Sequence, residues 1–210
     1  MNNKNTILIL APHTDDGELG CGGLISKMIE EGKNVYYVAF SSCSKSLPEG
    51  YNDYTLKREV AASTKALGIP AENLFVFDYE VRMFKNFRQE ILEELIKLRS
   101  IINPDIVFTP SQKDIHQDHQ VISEETIRTF KNISILGYEM PWNNLSFNTS
   151  CFVKLNDEHI QTKVNSLAKY DSQKGRPYFQ NDYIEALART RGIQIATKYA
   201  EVFEVIRWII

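Results

Sequence analysis

The sequence predicts an α/β fold, a Rossmann-like arrangement in which helices cover both faces of a mostly parallel central sheet. Two observations lead to this prediction. Short apolar, β-branched runs alternate along the chain with longer segments of helical period. Several of those helical segments end at a glycine or a proline, which are the usual stop signals. Strands that alternate with helices are joined by right-handed crossovers into parallel sheets. With 210 residues and 43% hydrophobic content, one domain over residues 1–210 is expected.

The first half of the chain supplies three strands and two helices. Residues 6–11 read TILILA, apolar on both faces, which is typical of a buried parallel strand. Residues 22–31 carry apolar side chains at helical spacing and stop at Gly32, a typical residue after a helix end. The further predicted elements are a strand over residues 34–40, a helix over 55–67 that ends at Gly68, and a strand over 74–77.

The second half continues the alternation and then departs from it. Residues 88–101 place apolar side chains on one stripe of a helix that Pro104 stops. A strand over 105–109, a helix over 119–130 and a strand over 134–138 follow. After Trp142 the regular order breaks, and a strand over 151–155 and helices over 157–170 and 183–195 complete the prediction.

Composition excludes several classes of protein. The net charge of -3 gives no electrostatic reason to bind nucleic acid or an anionic membrane. No apolar run approaches the roughly 20 residues of a membrane span, and the N-terminus lacks a signal-peptide pattern. Three widely spaced cysteines give no disulfide framework. A cytoplasmic protein is therefore expected, and a homo-oligomer is compatible with the sequence.

Two polar segments follow the first and fourth predicted strands, at residues 12–18 and 114–119. They read PHTDDGE and DIHQDH, and they hold three of the four histidines of the chain. Ligands of open parallel sheets bind beyond the carboxyl ends of the strands. The clustering therefore predicts a functional site between these two segments.

The residue types in these segments suit a divalent metal, with zinc as the expected ion. Catalytic zinc sites use three imidazole or carboxylate ligands and leave one position for water. His13 and Asp16 are close enough in a strand-to-helix loop to bind one ion, and a third ligand would come from the second segment. His116 and His119 share a face of a helical turn, so one can bind metal while the other faces the substrate. Asp15 is left as a candidate general base.

Less specific interpretations remain open at this point. Asp15 and Asp16 could simply cap the following helix, and a lone His-x-x-His is more often a solvated helix start. Gly20, Gly22 and Gly23 resemble a phosphate-binding loop, but their GCGG order differs from G-x-G-x-x-G. Close packing between helix and strand explains these glycines better than a dinucleotide site does.

The stretch APHTDDGELGCGG, followed in mid-chain by HQDH, resembles the signature of the PIG-L (LmbE-like) family of zinc-dependent N-acetylglucosamine deacetylases. The likeness continues through R-E-x-x-x-S-x-x-x-L-G at residues 58–68. It ends with RTRGIQIATKYAEVFEVIR at residues 189–207, which looks like a bacterial branch of the family. The resemblance therefore spans nearly the whole chain, and it implies zinc and an N-deacetylase activity.

The resemblance also implies a role for individual positions. The zinc ligands fall on His13, Asp16 and His119, the general base on Asp15, and the oxyanion-stabilising histidine on His116, with Asp118 orienting it. On this reading His116 is protonated, and the Asp118 carboxylate raises its pKa.

The chain departs from the family pattern at three positions. Thr14 replaces a proline, the acidic residue after the Asp pair is displaced to Glu18, and Leu56 stands where an arginine is usual. None of these changes removes a ligand, but the last leaves it open whether Arg58 takes the arginine's part in substrate binding.

The predicted function is hydrolysis of an N-acetyl amide on an amino sugar of the GlcNAc type, carried as a small molecule or a glycoconjugate, with release of acetate. Alternatives are an amidase acting on a non-sugar or thiol-conjugate amide, a non-catalytic nucleotide-binding protein, and a metal-sensing or structural site. Iron or manganese would also suit the ligand set.

The predicted substrate-binding residues are Arg58, Arg82, Trp142 and Arg191, with Tyr138, Glu139 and Arg176 as further candidates.

Overall fold

The computed structural model describes residues 5–210, which form a seven-stranded sheet with six α-helices. The strands are β1 (Thr6–Ala11), β2 (Asn34–Ala39), β3 (Leu74–Val76), β4 (Ile106–Pro110), β5 (Ser134–Tyr138), β6 (Cys151–Leu155) and β7 (Tyr199–Arg207). The helices are α1 (Asp16–Glu30), α2 (Thr55–Ala66), α3 (Arg88–Ile102), α4 (Gln117–Thr129), α5 (Asp157–Leu167) and α6 (Asn181–Ile193).

The strand order is β3-β2-β1-β4-β5-β7-β6, and the first five of these strands are parallel. This confirms the predicted α/β fold with its mostly parallel sheet. The chain winds from β1 outward to β3 and then returns to place β4 on the other side of β1. Adjacent parallel strands whose connections leave in opposite directions open a crevice at their carboxyl ends. The crevice therefore lies between β1 and β4.

The sheet is buried on both faces, as the run of apolar residues in β1 predicts. Ile7 and Ile9 pack into a core shared with α1, α2, α5 and α6, whereas Leu8 and Leu10 pack into a second core shared with α3 and α4. The alternation along β1 is that of a strand with a layer of helices on each side.

Two elements differ from the sequence prediction. Helix α1 begins at Asp16 rather than at residue 22, so the polar loop after β1 is very short. Strand β7 was not predicted, and it pairs antiparallel with both β5 and β6. Two glutamates interrupt its apolar pattern. Both are buried, and both are satisfied: Glu201 pairs with Lys163 at 2.7 Å, and Glu204 accepts from the Ser111 hydroxyl at 2.8 Å. Because these two charged residues interrupt the apolar pattern, the sequence did not predict this strand.

The glycines of α1 serve close packing. A Cβ on Gly20 would lie 2.5 Å from the Tyr138 ring, and one on Gly23 would lie 2.4 Å from Leu155. Both distances are far below van der Waals contact, so any side chain here would push α1 off the sheet. Among residues 5–210, no helix has the length and apolar character that crossing a membrane would require.

Candidate metal centre and active site

The two polar segments meet at the crevice between β1 and β4. His13 follows β1, Asp16 opens α1, and His119 lies in the first turn of α4. These three residues, together with Asp15 and His116, line a cavity of about 300 Å³. The structure thus brings these five predicted site residues into one cavity.

Three atoms in this cavity form a nearly equilateral triangle. His13 Nδ1 lies 3.1 Å from Asp16 Oδ2, His119 Nε2 lies 3.2 Å from the same oxygen, and the two nitrogens are 3.3 Å apart. Ligand atoms about 2.0–2.1 Å from a tetrahedral zinc ion are separated by about 3.3 Å. The triangle therefore has the dimensions of three corners of a tetrahedral zinc site.

Each histidine of the triangle contacts a buried carboxylate through its other ring nitrogen. His13 Nε2 lies 3.0 Å from Asp118 Oδ2, and His119 Nδ1 lies 2.7 Å from Asp114 Oδ2. A ring nitrogen that donates its proton to a carboxylate leaves a lone pair on the other nitrogen, the usual arrangement behind metal-binding histidines. With both rings neutral, as metal binding requires, the lone pairs of His13 Nδ1 and His119 Nε2 would point toward the centre of the triangle.

The charges at this centre favour a cation. Burial raises the pKa of Asp16, but His119 and His13 outweigh it and hold that pKa well below its usual range. Burial opposes protonation of His119, yet the Asp16 and Asp114 carboxylates raise its pKa to about 10. A site that binds a proton this strongly presents the charge and the lone pairs that a divalent metal requires.

His116 is the fourth candidate ligand, because its ring nitrogen lies with those of His13 and His119 inside a 4.8 Å cluster. However, His116 Nδ1 accepts the backbone N–H of Asp118 at 3.2 Å. Because His116 is the N-cap residue of α4, the backbone N–H of Asp118 occupies the lone pair of Nδ1. Asp16 Oδ2, by contrast, faces both other histidines, so the donor set of two imidazoles and one carboxylate fits a catalytic zinc site better.

The expectation that the Asp118 carboxylate orients His116 is wrong. Asp118 Oδ2 contacts His13 and accepts the backbone N–H of Arg82 at 2.6 Å, while Oδ1 accepts that of Phe84 at 3.3 Å. The expected protonation of His116 is also wrong, since burial, followed by the positive charge of His119 and His13, lowers its pKa to about 4. His116 is therefore a neutral imidazole with Nδ1 accepting and Nε2 carrying the hydrogen.

Asp15 is the N-terminal flanking residue of α1, but its side chain makes no capping hydrogen bond. Capping thus does not explain this residue. Burial, followed by the negative charge of Asp16, raises the pKa of Asp15 to about 6. A carboxylate with that pKa, lining a cavity beside the metal-binding atoms, is suited to accept a proton near neutral pH.

The predicted substrate-binding residues fall in different places. Arg82 and Trp142 line the cavity, and so does Arg176. Arg58 is exposed on α2 and does not line it. Arg191 lies in an adjacent cleft, where its Nε donates to Glu139 Oε2 at 3.1 Å. Tyr138 is a core residue whose hydroxyl donates to the Leu10 carbonyl at 3.0 Å.

Several residues of the site were missed by sequence reasoning. Asp114 is 2% exposed and holds both the His119 ring and, at 2.8 Å, the backbone N–H of His116. Its place two residues before His116 was a usable signal, because an acid near a metal-binding histidine is often its hydrogen-bond partner. No local pattern marks Ser46, Gln173 and Tyr178, which also line the cavity.

Comparisons with known proteins identify the family of this chain. Residues 8–130 match the PIG-L family, described as GlcNAc-PI de-N-acetylase. The uncharacterized deacetylase YaiS of Escherichia coli (strain K12) is 29% identical over 175 residues, which are 81% of this chain and 93% of that protein.

Solved structures share the fold. The N,N'-diacetylchitobiose deacetylase of Pyrococcus horikoshii has a TM-score of 0.80 at 20% identity, covering 98% of this chain and 85% of its own. The 4-carboxy-2-hydroxymuconate hydratase of Pseudomonas putida KT2440 has a TM-score of 0.77 at 17% identity, covering 98% of both chains. The same fold thus carries different reactions, and the side chains of the site determine which reaction occurs.

Proposed function

This chain belongs to the PIG-L family, and from that premise we propose that it is a metal-dependent N-deacetylase that hydrolyses the N-acetyl amide of an amino sugar and releases acetate. The observation that carries the proposal is the triangle of His13 Nδ1, Asp16 Oδ2 and His119 Nε2, with edges of 3.1–3.3 Å. Beside it lies Asp15, whose side chain makes no capping hydrogen bond.

These three residues would hold the ion, with zinc as the proposed metal. Zinc held by these residues would polarise the amide carbonyl as a Lewis acid and would lower the pKa of a water molecule toward neutral pH. Asp118 and Asp114 act through His13 and His119 respectively, since each fixes the tautomer of the ring that it contacts.

The remaining chemistry belongs to Asp15 and His116. Asp15 accepts a proton from the attacking water as the oxygen bonds to the acetyl carbon. The Nε2–H of neutral His116 donates a hydrogen bond to the oxyanion of the tetrahedral intermediate. Asp15 then returns its proton to the nitrogen as the C–N bond breaks, so that acetate and a free amine leave.

Two other classes of function are less well supported. A structural metal site is closed by four protein ligands, whereas this triangle opens onto a cavity of about 300 Å³. A nucleotide-binding protein would need a loop whose backbone N–H groups bind phosphate. Here the space beside Gly20 and Gly23 of α1 is occupied by Tyr138 and Leu155. The open triangle therefore favours a catalytic metal.

The proposal is tested by metal analysis of the purified protein together with acetate release from a panel of N-acetylated amino sugars. We expect about one divalent ion per chain, and His13→Ala, Asp16→Ala and His119→Ala should each greatly reduce metal content. Full occupancy in any one variant removes that residue from the ligand set. A fully loaded protein that releases no acetate from any sugar or simple amide rejects the deacetylase.

A further inference from the structure

A buried ion pair contacts the backbone of α1 in the middle of that helix. Lys163 of α5 and Glu201 of β7 are 6% and 7% exposed, and Lys163 Nζ lies 2.7 Å from Glu201 Oε1. The Glu201 carboxylate also accepts the backbone N–H of Gly23 at 2.9 Å and that of Leu24 at 2.7 Å. The Lys163 ammonium donates to the Leu19 carbonyl at 2.6 Å. The pair therefore binds both the donors and an acceptor of one turn of α1.

These contacts fall where a regular helix would bond to itself. In an α-helix each backbone N–H donates to the carbonyl four residues earlier, so Gly23 would donate to Leu19. Leu24 would likewise donate to Gly20. A side chain that enters this ladder of hydrogen bonds changes the local direction of a helix. The ion pair therefore lies at the boundary between the first turn of α1, residues 16–19, and the rest of the helix.

Two glycines of α1 leave room for the ion pair. A Cβ on Gly22 would lie 2.7 Å from Lys163 Cγ, and one on Gly23 would lie 3.1 Å from Glu201 Oε1. The first distance is well below van der Waals contact, so a side chain at position 22 would displace Lys163. These glycines, which a phosphate loop does not explain, let the two charged side chains approach the backbone of the helix.

The first turn of α1 belongs to the metal site. Asp16 opens this turn, Asp15 precedes it, and the Leu19 N–H donates to the Asp15 carbonyl at 3.1 Å. Leu19 also lines the metal cavity with its side chain. Lys163 is thus connected to Asp15 through the backbone of a single residue. A shift of the Leu19 carbonyl would move both carboxylates relative to the two metal-binding histidines.

We propose that Lys163 and Glu201 are positioning residues of the metal centre, which hold the first turn of α1 so that Asp15 and Asp16 meet the two histidines. The inference rests on the proposed function and adds two residues that line the adjacent cleft. A buried ion pair contributes little to stability, because the loss of hydration offsets the attraction between the charges. Stability alone thus explains the pair poorly, whereas its hydrogen bonds to α1 explain it directly.

The test replaces both charges at once with apolar side chains, as Lys163→Met/Glu201→Leu. The N–H groups of Gly23 and Leu24 can then donate to carbonyls of their own helix, so the backbone keeps its partners. We expect the metal-free variant to melt close to the parent, since apolar replacement of a buried ion pair is often neutral or stabilising. The first turn of α1 should shift all the same, because the ion pair no longer determines its direction.

Zinc affinity is measured by competition against a chromophoric chelator, and turnover as acetate release from the panel of N-acetylated amino sugars. We expect the double variant to bind zinc at least about tenfold more weakly. When it is loaded with zinc, kcat should fall at least about tenfold with KM within about twofold, because a misplacement of about 1 Å can cost about a hundredfold in rate.

Ile160→Ala is the matched control for stability. Ile160 is buried on α5, one turn before Lys163, and its truncation removes apolar contacts without touching the hydrogen bonds of α1. This variant should melt at a lower temperature than the parent. Below that temperature its zinc affinity and kcat should stay within about twofold of the parent.

Parent-like zinc affinity and kcat in the double variant overturn the inference. So does an equal loss of zinc affinity in Ile160→Ala, because lower stability would then account for it. If the double variant does not fold, Lys163→Met/Glu201→Gln, which keeps an acceptor for Gly23, replaces it: weaker zinc binding supports the inference and unchanged binding overturns it. A parent that binds zinc but hydrolyses no amide rejects the deacetylase, and the zinc affinities still decide the positioning role.

Discussion

The carboxylate behind His119 offers the sharpest test of how the site is built. Asp114 is buried, its Oδ2 lies 2.7 Å from His119 Nδ1, and its Oδ1 accepts the backbone N–H of His116 at 2.8 Å. Asp114→Ala removes the acceptor that fixes the His119 tautomer. The lone pair at Nε2 is then no longer enforced, and the ring loses the carboxylate that makes it a stronger ligand.

The expected magnitude follows from that single contact. Loss of a carboxylate behind a metal-binding histidine weakens metal affinity by about 10–100-fold, or about 1.4–2.7 kcal/mol. The unpaired N–H of His116 should cost a further 1–3 kcal/mol or so of folding stability. Asp114→Asn keeps an oxygen that can accept that N–H but lacks the negative charge, so it should recover stability more than metal affinity.

The assay is competition for zinc against a chromophoric chelator, with thermal melting of the metal-free proteins in parallel. Asp53→Ala, which removes an exposed carboxylate from the loop before α2, is the control and should bind zinc as the parent does. If Asp114→Ala binds zinc within about twofold of the parent, metal binding by His119 does not depend on Asp114, and Asp114 does not fix the tautomer of the ring.

Three further predictions concern the neighbouring groups. Asp15→Asn should keep its metal and lose at least about a hundredfold in turnover, and near-normal turnover would mean that another group accepts the proton. His116→Ala should lower kcat with KM and metal content little changed, and a rise in KM alone would place His116 in substrate binding instead. Burial raises the pKa of Glu18 from 4.5 to about 7. The protonated form of Glu18 therefore stabilises the fold fully below about pH 4.5. That stability, about 3 kcal/mol, is lost as the pH rises through 7. In Glu18→Gln, the free energy of unfolding should fall less steeply between pH 5 and pH 8. An unchanged slope would mean that another group causes the pH dependence.

The Glu18 result would also report on how the loop before α1 is supported. The Tyr170 hydroxyl lies 2.9 Å from Glu18 and 2.7 Å from the Thr14 carbonyl, and the Tyr37 hydroxyl contacts the same two residues. The loop that carries the metal-binding side chains thus rests on a buried hydrogen-bonded cluster. Breaking it should disturb both stability and the site.

Most of the order of strands and helices, and the position of the chemistry, could be predicted from the amino-acid sequence alone. The apolar period separates buried strands from amphipathic helices, and parallel winding sends the loops after β1 and β4 to the same edge. His13, Asp16 and the histidine pair of the second segment could therefore be placed together from the sequence, and the family resemblance implied His119 as the third ligand. The missed strand, β7, is the one whose buried Glu201 and Glu204 find partners elsewhere in the chain.

The contacts between individual polar side chains could not be predicted in this way and are known from the folded structure. Asp118 was expected to serve His116, two residues away, but it contacts His13, which is 105 residues distant. Arg58 and Arg191 were expected at the substrate, but the first faces solvent and the second pairs with Glu139, while Arg176 reaches the cavity. Hydrogen bonds and ion pairs form between groups that folding brings within about 3 Å, and their choice depends on backbone directions that no local pattern encodes. Periodicity records which face of an element is buried, but the partner of a polar side chain is set by the segments that pack against it.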